Sequence, residues 1–268
     1  MNPSFHRLQL LTGTTALQRL HQTKVILFGL GGVGSWCAEA LIRSGIGYLT
    51  IVDSDIVCVT NINRQVQATL ASVGKAKTHE LARRLIEINP GADIKVIHGI
   101  FDRTTADEFN LGEYHYVIDA IDSLSSKVEL IMRAALSGAK VYTALGASNK
   151  LDSTQIKVSS LWKSRECPLG KLVRKRLRRR GFHGEVTCVY SEEQQPVQLV
   201  SLVCGTATCM CPKTACSDSG DTVDIHEWCS SKKKINGSAV HVTGTFGFIL
   251  AGLVVQDVIK QVDNSLHQ

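Results

Sequence analysis

The stretch Val25-Ile-Leu-Phe28-Gly29-Leu30-Gly31-Gly32-Val33-Gly34-Ser35 decides how the rest of the chain is read. Four apolar residues end in a glycine-rich turn, and from Val33 to Arg43 the spacing of Trp36, Ala40 and Ile42 among small residues is helical. A strand that feeds through such a turn into a helix is the context of a phosphate-binding loop. The glycines permit the tight turn and let the backbone approach phosphate oxygens, while the helix start offers free N–H groups and a positive dipole end. Gly29, Gly31, Gly32, Gly34 and Ser35 are the candidate contacts. The next β-branched run, Tyr48-Leu-Thr-Ile-Val52, is stopped by Asp53, nineteen residues after Gly34. A carboxylate there accepts hydrogen bonds from ribose hydroxyls. This much admits either a dinucleotide or ATP.

The same alternation continues outward. Lys77 to Ile88 has helical spacing and is closed by Asn89-Pro90-Gly91, and Ile94 to His98 reads as a strand. Tyr116 to Asp119 reads as another strand, Ser125 to Leu136 as a helix, and Lys140 to Leu145 as a further strand. Strands alternating with helices of this length imply parallel βαβ units. The expected fold is therefore α/β, a doubly wound, Rossmann-like, mostly parallel sheet with an irregular C-terminal extension. Residues 1–150 are expected to form the nucleotide-binding domain and residues 151–268 a C-terminal portion.

That second portion is less regular. Gln155-Ile-Lys-Val158 alternates like a half-exposed strand, and residues 204–234 are polar, cysteine-bearing and loop-like. Lys171-Leu-Val-Arg-Lys-Arg-Leu-Arg-Arg-Arg180 has seven basic residues in ten, with Leu172, Val173 and Leu177 expected on one apolar helical face. Lys171, Arg174, Lys175, Arg178, Arg179 and Arg180 then form a cationic face able to neutralise nucleic-acid phosphates without reading sequence. A solvated charged helix is the plainer alternative. Near the end, Phe246-Gly-Phe-Ile-Leu-Ala-Gly-Leu-Val-Val255 is strongly apolar over only ten positions. A buried helix against the sheet is expected there, with peripheral or C-terminal membrane association as the alternative.

Composition agrees with an ordinary globular protein: 268 residues, 44% hydrophobic, 20% charged, net charge +6. Collagen-like, low-complexity and wholly disordered classes are excluded. Nine cysteines scatter through apolar segments and a late loop, an odd number that fits a reducing, cytoplasmic setting better than a disulfide scaffold. Met1 to Leu11 lacks an unbroken apolar core, so no secretory signal is expected.

The residues beyond Asp53 separate ATP from a dinucleotide. Asp53-Ser-Asp55-Ile-Val-Cys-Val-Thr-Asn61-Ile-Asn-Arg64-Gln65 sets acids, amides and an arginine just past the strand. An NAD oxidoreductase has no evident need for that cation, whereas a triphosphate does, since Arg64 grips phosphate oxygens in a bidentate fork. Val73-Gly-Lys75-Ala-Lys77 adds two lysines at a helix start. Asp119-Ala-Ile-Asp122-Ser123 ends a later strand with two carboxylates placed to hold Mg²⁺ through water.

Gly-x-Gly-Gly-x-Gly-Ser, Asp-x-Asp with Asn-x-x-Arg-Gln, Gly-x-x-Lys and Asp-x-x-Asp together resemble the E1-like ATP-dependent adenylating enzymes, over residues 5 to about 145. The resemblance implies ATP and Mg²⁺ as cofactors, with Gly29, Gly31, Gly32 and Gly34 on the nucleotide and Asp53 on the ribose. It implies Asn61 and Arg64 on the phosphates, Lys77 on the α-phosphate side and Asp122 on the magnesium, with Asp55, Gln65 and Ser123 lining the same site. Arg7, six residues before Gly13, matches an N-terminal arginine that reaches into the partner subunit's site, which implies a homodimer.

The second half resembles one subgroup. Asp152-Ser-Thr154-Gln-Ile156, Pro168-Leu169, Cys188-Val-Tyr-Ser191-Glu192 and Val242-Thr-Gly-Thr-Phe246-Gly-Phe248 are similar to the tRNA threonylcarbamoyladenosine dehydratases. The activity so implied uses ATP to activate the threonine carboxylate of N6-threonylcarbamoyladenosine in tRNA, which then cyclises to a hydantoin-type ring. No covalent enzyme thioester is needed, so no catalytic cysteine is assigned. Two other functions stand beside this one: an adenylyltransferase for a ubiquitin-like sulfur carrier, and a non-catalytic RNA-binding or sulfur-relay adaptor.

The late cysteines depart from the wider family. Cys204, Cys209, Cys211, Cys216 and Cys229 include no Cys-x-x-Cys pair, which argues against structural zinc. A sulfur-acceptor partner is implied for dehydratases with a late cysteine at the position that Lys232 occupies here, with Cys229 nearby.

Overall fold

The computed structural model describes residues 3–194, 214–216, 222–224 and 236–266. Strand β1 (Lys24–Phe28) lies between β2 (Tyr48–Asp53) and β4 (Tyr116–Asp119), parallel to both. β3 (Asp93–His98) extends the sheet beyond β2, and β5 (Lys140–Ala144) extends it beyond β4, again in parallel. Helices α2 (Gly34–Arg43), α3 (Lys77–Ile88) and α4 (Leu124–Leu136) make the crossovers. The strand order, β3-β2-β1-β4-β5 followed by β7 (Thr187–Ser191) and β6 (Ile156–Ser160), reverses between β1 and β4, which opens the crevice where such sheets bind ligands.

The strands on either side of residue 150 join one sheet. β7 (Thr187–Ser191) pairs in parallel with β5, and β6 (Ile156–Ser160) closes the edge antiparallel to β7. Helix α5 (Pro168–Arg179) precedes β7, and a separate two-stranded ribbon pairs β8 (Thr214–Cys216) with β9 (Thr222–Asp224). The apolar C-terminal run becomes helix α6 (Val240–Leu266).

Alternate strand residues feed two cores, as expected of a sheet covered on both faces. Val25, Leu27, Leu49 and Ile51 pack with α2, α3 and α6 on one side. Ile26, Phe28, Val52 and Val117 pack with α4 and α5 on the other. Phe246, Leu250, Val254 and Val258 of α6 are buried against this first core. A Cβ at Gly247 would stand 2.5 Å from the Val33 carbonyl oxygen, so glycine is what lets α6 press onto the start of α2. Lower along α6, Asp257 accepts the Tyr116 hydroxyl at 2.7 Å and pairs with Lys140. Residues 240–264 are long and apolar enough to cross a membrane by composition, but these contacts make α6 a core helix of the sheet.

Two features differ from expectation. An N-terminal helix, α1 (His6–Gln22), precedes β1, broken at Gly13 with φ 80° and ψ 168°. On α5, Val173 and Leu177 are buried, but Leu172 is 49% exposed. At about 100° per residue, Leu172 stands ~140° from Leu177 and cannot share its face.

Candidate nucleotide site

The site is built at the carboxyl ends of β1, β2 and β4. The turn Gly29–Val33 leads into α2, whose start carries no side-chain cap and no acidic residue in its first turn. The Ser35 N–H is taken by the Gly31 carbonyl at 3.1 Å, and the positive dipole end of the helix faces the turn. A Cβ at Gly34 would fall 1.8 Å from the Gly29 carbonyl oxygen, so only glycine closes this turn. Gly31 faces open space, with no atom within 4 Å of where its Cβ would be.

Asp53 is fixed by the turn it serves. One carboxylate oxygen accepts the Leu30 N–H at 2.5 Å and the other accepts the Asp55 N–H at 2.7 Å. Each oxygen keeps a further lone pair for a ribose hydroxyl. Beyond it, Lys77 is buried and donates to Asp55 Oδ2 at 2.7 Å. Burial would lower the pKa of this ammonium, but the charges of Asp53 and Asp55, the hydrogen bond to Asp55 and the charge of Asp122 outweigh it and hold it above the ordinary lysine value. Lys77, Asp53, Asp55 and Asp122 therefore form one electrostatic group.

Arg64 comes from the loop after β2 and is brought back onto the glycine turn. Its Cγ would lie 3.2 Å from a Cβ on Gly32, and its carbonyl oxygen accepts the Trp36 indole N–H at 3.0 Å. The guanidinium donates to the Thr60 carbonyl at 2.7 Å and to Asn63 Oδ1 at 3.1 Å. Asn61 is buried and holds the Cys58 N–H through its Oδ1 at 3.0 Å. Gln65 is buried beside Gln67, which donates to the Leu30 carbonyl at 2.9 Å. Asn63 donates to the Ser238 carbonyl at 2.8 Å, so the segment entering α6 roofs this loop.

Two sequence-read residues, Asp119 and Ser35, are placed differently from expectation. Asp119 is not a second metal carboxylate: it is 0% exposed and paired with Lys127 at 2.7 Å. Burial beside a lysine from α4 consumes it, leaving Asp122 alone at the mouth. Asp122 and Ser123 are exposed, and Asp122 makes no hydrogen bond or ion pair among the described residues. Ser35 is fully buried and its hydroxyl accepts the Val66 N–H at 3.3 Å, so its side chain packs the loop instead of facing the turn. Arg7 is exposed on α1, and neighbouring Phe5 packs at Gly45, just past the C-terminal end of α2.

Among the described residues no group of three or more His, Cys, Asp or Glu side chains could hold a metal ion. A single exposed carboxylate is nonetheless a normal donor set for Mg²⁺, which keeps several waters and takes its other oxygens from nucleotide phosphates. The expectations about zinc and a sulfur-acceptor partner rest on Cys204, Cys209, Cys211, Cys216, Cys229 and Lys232, whose side chains lie outside the described residues.

The basic helix α5 divides in two. Arg180 pairs with Glu129 at 2.7 Å, Arg174 bonds Ser164, and the Arg178 guanidinium stands 5.4 Å over the Trp162 ring. Lys171, Lys175, Arg176 and Arg179 are exposed and make no ion pair among the described residues. Arg176 belongs with the free cations, although the sequence reading did not single it out.

The chain is 36% identical over 254 residues to the tRNA threonylcarbamoyladenosine dehydratase of Haemophilus influenzae, covering 92% of this chain and 89% of that one. The structure of the E. coli tRNA N6-threonylcarbamoyladenosine dehydratase TcdA in complex with ATP superposes with a TM-score of 0.79 at 32% identity, covering 97% of this chain and 96% of that one. A molybdopterin-synthase adenylyltransferase from E. coli is 29% identical over 135 residues, covering 50% of this chain and 53% of its own length. Over residues 5–267 the sequence matches the ThiF family, and the chain belongs to that family.

Proposed function

We infer that the chain is an ATP-dependent tRNA threonylcarbamoyladenosine dehydratase. The observation that carries this is the convergence of Arg64, Lys77, Asp53 and Asp122 on the glycine turn, in a chain alike in sequence and fold to dehydratases along nearly its whole length. The carrier-activating adenylyltransferase matches over only half the chain, which makes that rival reading weaker.

A carboxylate is a poor electrophile because its oxygen leaves badly. With ATP as substrate, Asp53 holds the ribose and the Gly31–Gly32 backbone, at the start of α2, receives the phosphates. The threonine carboxylate oxygen attacks the α-phosphorus, and pyrophosphate leaves. Negative charge rises on the α-phosphate during that step, and Lys77 and Arg64 are placed to stabilise it. Arg64 exchanges its bonds to Thr60 and Asn63 for phosphate oxygens. Asp122 would hold Mg²⁺, which when bound neutralises charge on the departing pyrophosphate. A urea nitrogen of the same modified adenosine then attacks the activated carbonyl carbon and AMP leaves. Because the nucleophile is tethered, this second step gains the effective concentration of an intramolecular reaction.

No thioester is required. Cys37 and Cys188 are buried, and burial pushes both thiols up, Cys188 to about 11. Neither is a thiolate at neutral pH.

Residues 1–150 supply the nucleotide half of this enzyme and residues 151–268 its tRNA-facing portion. The tRNA backbone lies along Lys171, Lys175, Arg176 and Arg179, with Arg178 at the flank. The enzyme works as a homodimer. Leu10 and Leu11 of α1 are 75% and 83% exposed, an apolar surface suited to a second copy, and Arg7 at the far end of α2 serves the partner subunit's site. A cytoplasmic location follows from the tRNA substrate and from α6 as a core helix.

The test is direct. Protein, ATP, Mg²⁺ and threonylcarbamoylated tRNA are incubated, and the tRNA is digested and its nucleosides weighed. Loss of one water from the modified adenosine is expected; an unchanged mass with bound ATP would overturn the dehydratase reading and leave the carrier-activating and adaptor functions.

A further inference from the structure

We propose that Asp119 and Lys127 are positioning residues that set the turn carrying Asp122, and through it the response of nucleotide binding to Mg²⁺. The proposal rests on the reading of this site as one for ATP and Mg²⁺.

Asp119 and Lys127 are both 0% exposed, the last residue of β4 and an early residue of α4. Their pairing is fully satisfied. Lys127 Nζ donates to Asp119 Oδ2 at 2.7 Å, to Thr143 Oγ1 at 3.2 Å and to the Ala144 carbonyl at 2.9 Å. Thr143 Oγ1 in turn donates to Asp119 Oδ2 at 2.6 Å. One carboxylate oxygen is thus spent on anchoring the side chain to β5 and α4. The other, Oδ1, accepts the Ile121 N–H at 3.0 Å.

That last bond closes an Asx turn over Ala120 and Ile121, the two residues between β4 and Asp122. On the other side of Asp122, the Lys127 N–H donates to the Ser123 carbonyl at 2.9 Å, starting α4. Asp122 is therefore held between two fixed points, the first set by the Asp119 carboxylate that Lys127 anchors and the second a backbone bond at the start of α4. The turn also abuts the phosphate loop: the Ala120 carbonyl oxygen is 2.7 Å from where a Cβ on Gly29 would be.

A buried ion pair is a poor way to gain stability, because desolvation offsets most of the attraction and apolar replacements do as well or better. Its geometry is what an apolar pair could not supply. A leucine fills the volume of Asp119 but offers no acceptor to Ile121, and the turn then moves among alternatives. Asp122 makes no bond of its own to a neighbour among the described residues, so its position depends on the backbone beneath it.

Two paired variants separate positioning from packing. Asp119→Asn with Lys127→Met removes both charges but keeps an oxygen for Ile121. Asp119→Leu with Lys127→Met removes both charges and that oxygen. Each full-length protein is titrated by calorimetry with AMP without Mg²⁺, then with a non-hydrolysable ATP analogue with and without Mg²⁺. AMP affinity is expected to be alike in both. The tightening of the analogue by Mg²⁺ is expected to survive in the Asn pair and to fall about tenfold in the Leu pair, the scale of outer-sphere supports of metal sites. Equal tightening in the two folded variants overturns the proposal. Should the Leu pair fail to fold, Thr143→Val is read instead: loss of its bond to Asp119 is expected to weaken the Mg²⁺ effect, and an unchanged effect overturns the proposal. Wild-type protein that binds neither nucleotide removes the underlying site as well, whereas a responsive wild type beside an equally responsive Leu pair removes only the positioning role.

Discussion

Lys77 is tied twice to Asp55: its ammonium donates to Asp55 Oδ2 at 2.7 Å and its backbone N–H donates to the Asp55 carbonyl at 3.0 Å. The double tie fixes the start of α3 to the loop after β2, so this buried cation is held in one orientation among the charges of Asp53, Asp55 and Asp122. Lys77→Met is expected to lower adenylation at least about 100-fold, as loss of a preorganised charge does. Its pKa is raised, so the ion pair contributes fully below the unfolded lysine value and is lost only as pH rises through the folded one. The wild-type pH–rate profile should accordingly show no alkaline fall from this residue below about pH 10. A fall near pH 8 that is abolished in Lys77→Met would contradict the assignment.

Arg64 gives a cleaner separation of chemistry from folding. Trp36 uses only its carbonyl oxygen, and the guanidinium rests on Thr60 and Asn63 at the surface of the loop. Arg64→Ala should therefore melt within a few degrees of the parent while losing at least about 100-fold in adenylation. Differential scanning fluorimetry beside pyrophosphate release checks both halves.

Glu39 tests how firmly the phosphate helix is held. It is buried on α2 and accepts Arg84 at 2.6 Å from α3 and Arg43 at 2.9 Å. Burial raises its pKa, yet the bonds from Arg84 and Arg43 outweigh this and bring it below the ordinary glutamate value. A depressed carboxylate pKa adds stability above the unfolded value and loses it as pH falls through the folded one. Glu39→Gln should cost about 1–3 kcal/mol at pH 7, with the difference from the parent shrinking below about pH 4. Chemical denaturation at the two pH values measures it.

On α5 the paired and free cations should behave differently. Neutralising Lys171, Lys175 and Arg179 together should raise the tRNA Michaelis constant and flatten its dependence on log salt by about 0.7–0.9 per lost phosphate contact. Arg180→Ala should instead lower the melting temperature, because it leaves the buried Glu129 Oε2 without its partner while Arg133 holds only Oε1. An unchanged salt slope in the triple variant would remove α5 from the tRNA interface.

The nucleotide half was legible because its signals are local. Val25–Phe28, the glycine turn and Lys77–Ile88 each combine periodicity with a terminating residue, and the structure places β1 and α3 on the same residues, give or take one. What escaped depended on neighbours distant in sequence. Asp119 and Asp122 look equivalent as letters, and only Lys127 and Thr143, from α4 and β5, turn one inward. Lys127 reads as an ordinary surface lysine of an amphipathic helix until the strand end beside it is known. Leu172 was misplaced for a different reason, since two adjacent apolar residues cannot both share the face of a third four or five positions on.

Activation as an acyl adenylate requires that one oxygen of the threonine carboxylate leave as part of AMP. Threonylcarbamoylated tRNA labelled with ¹⁸O in the threonine carboxylate is turned over with ATP and Mg²⁺, and the released AMP and pyrophosphate are weighed. One ¹⁸O in AMP and none in pyrophosphate is the predicted result. Unlabelled AMP accompanying cyclic product, or ¹⁸O in pyrophosphate, would contradict it.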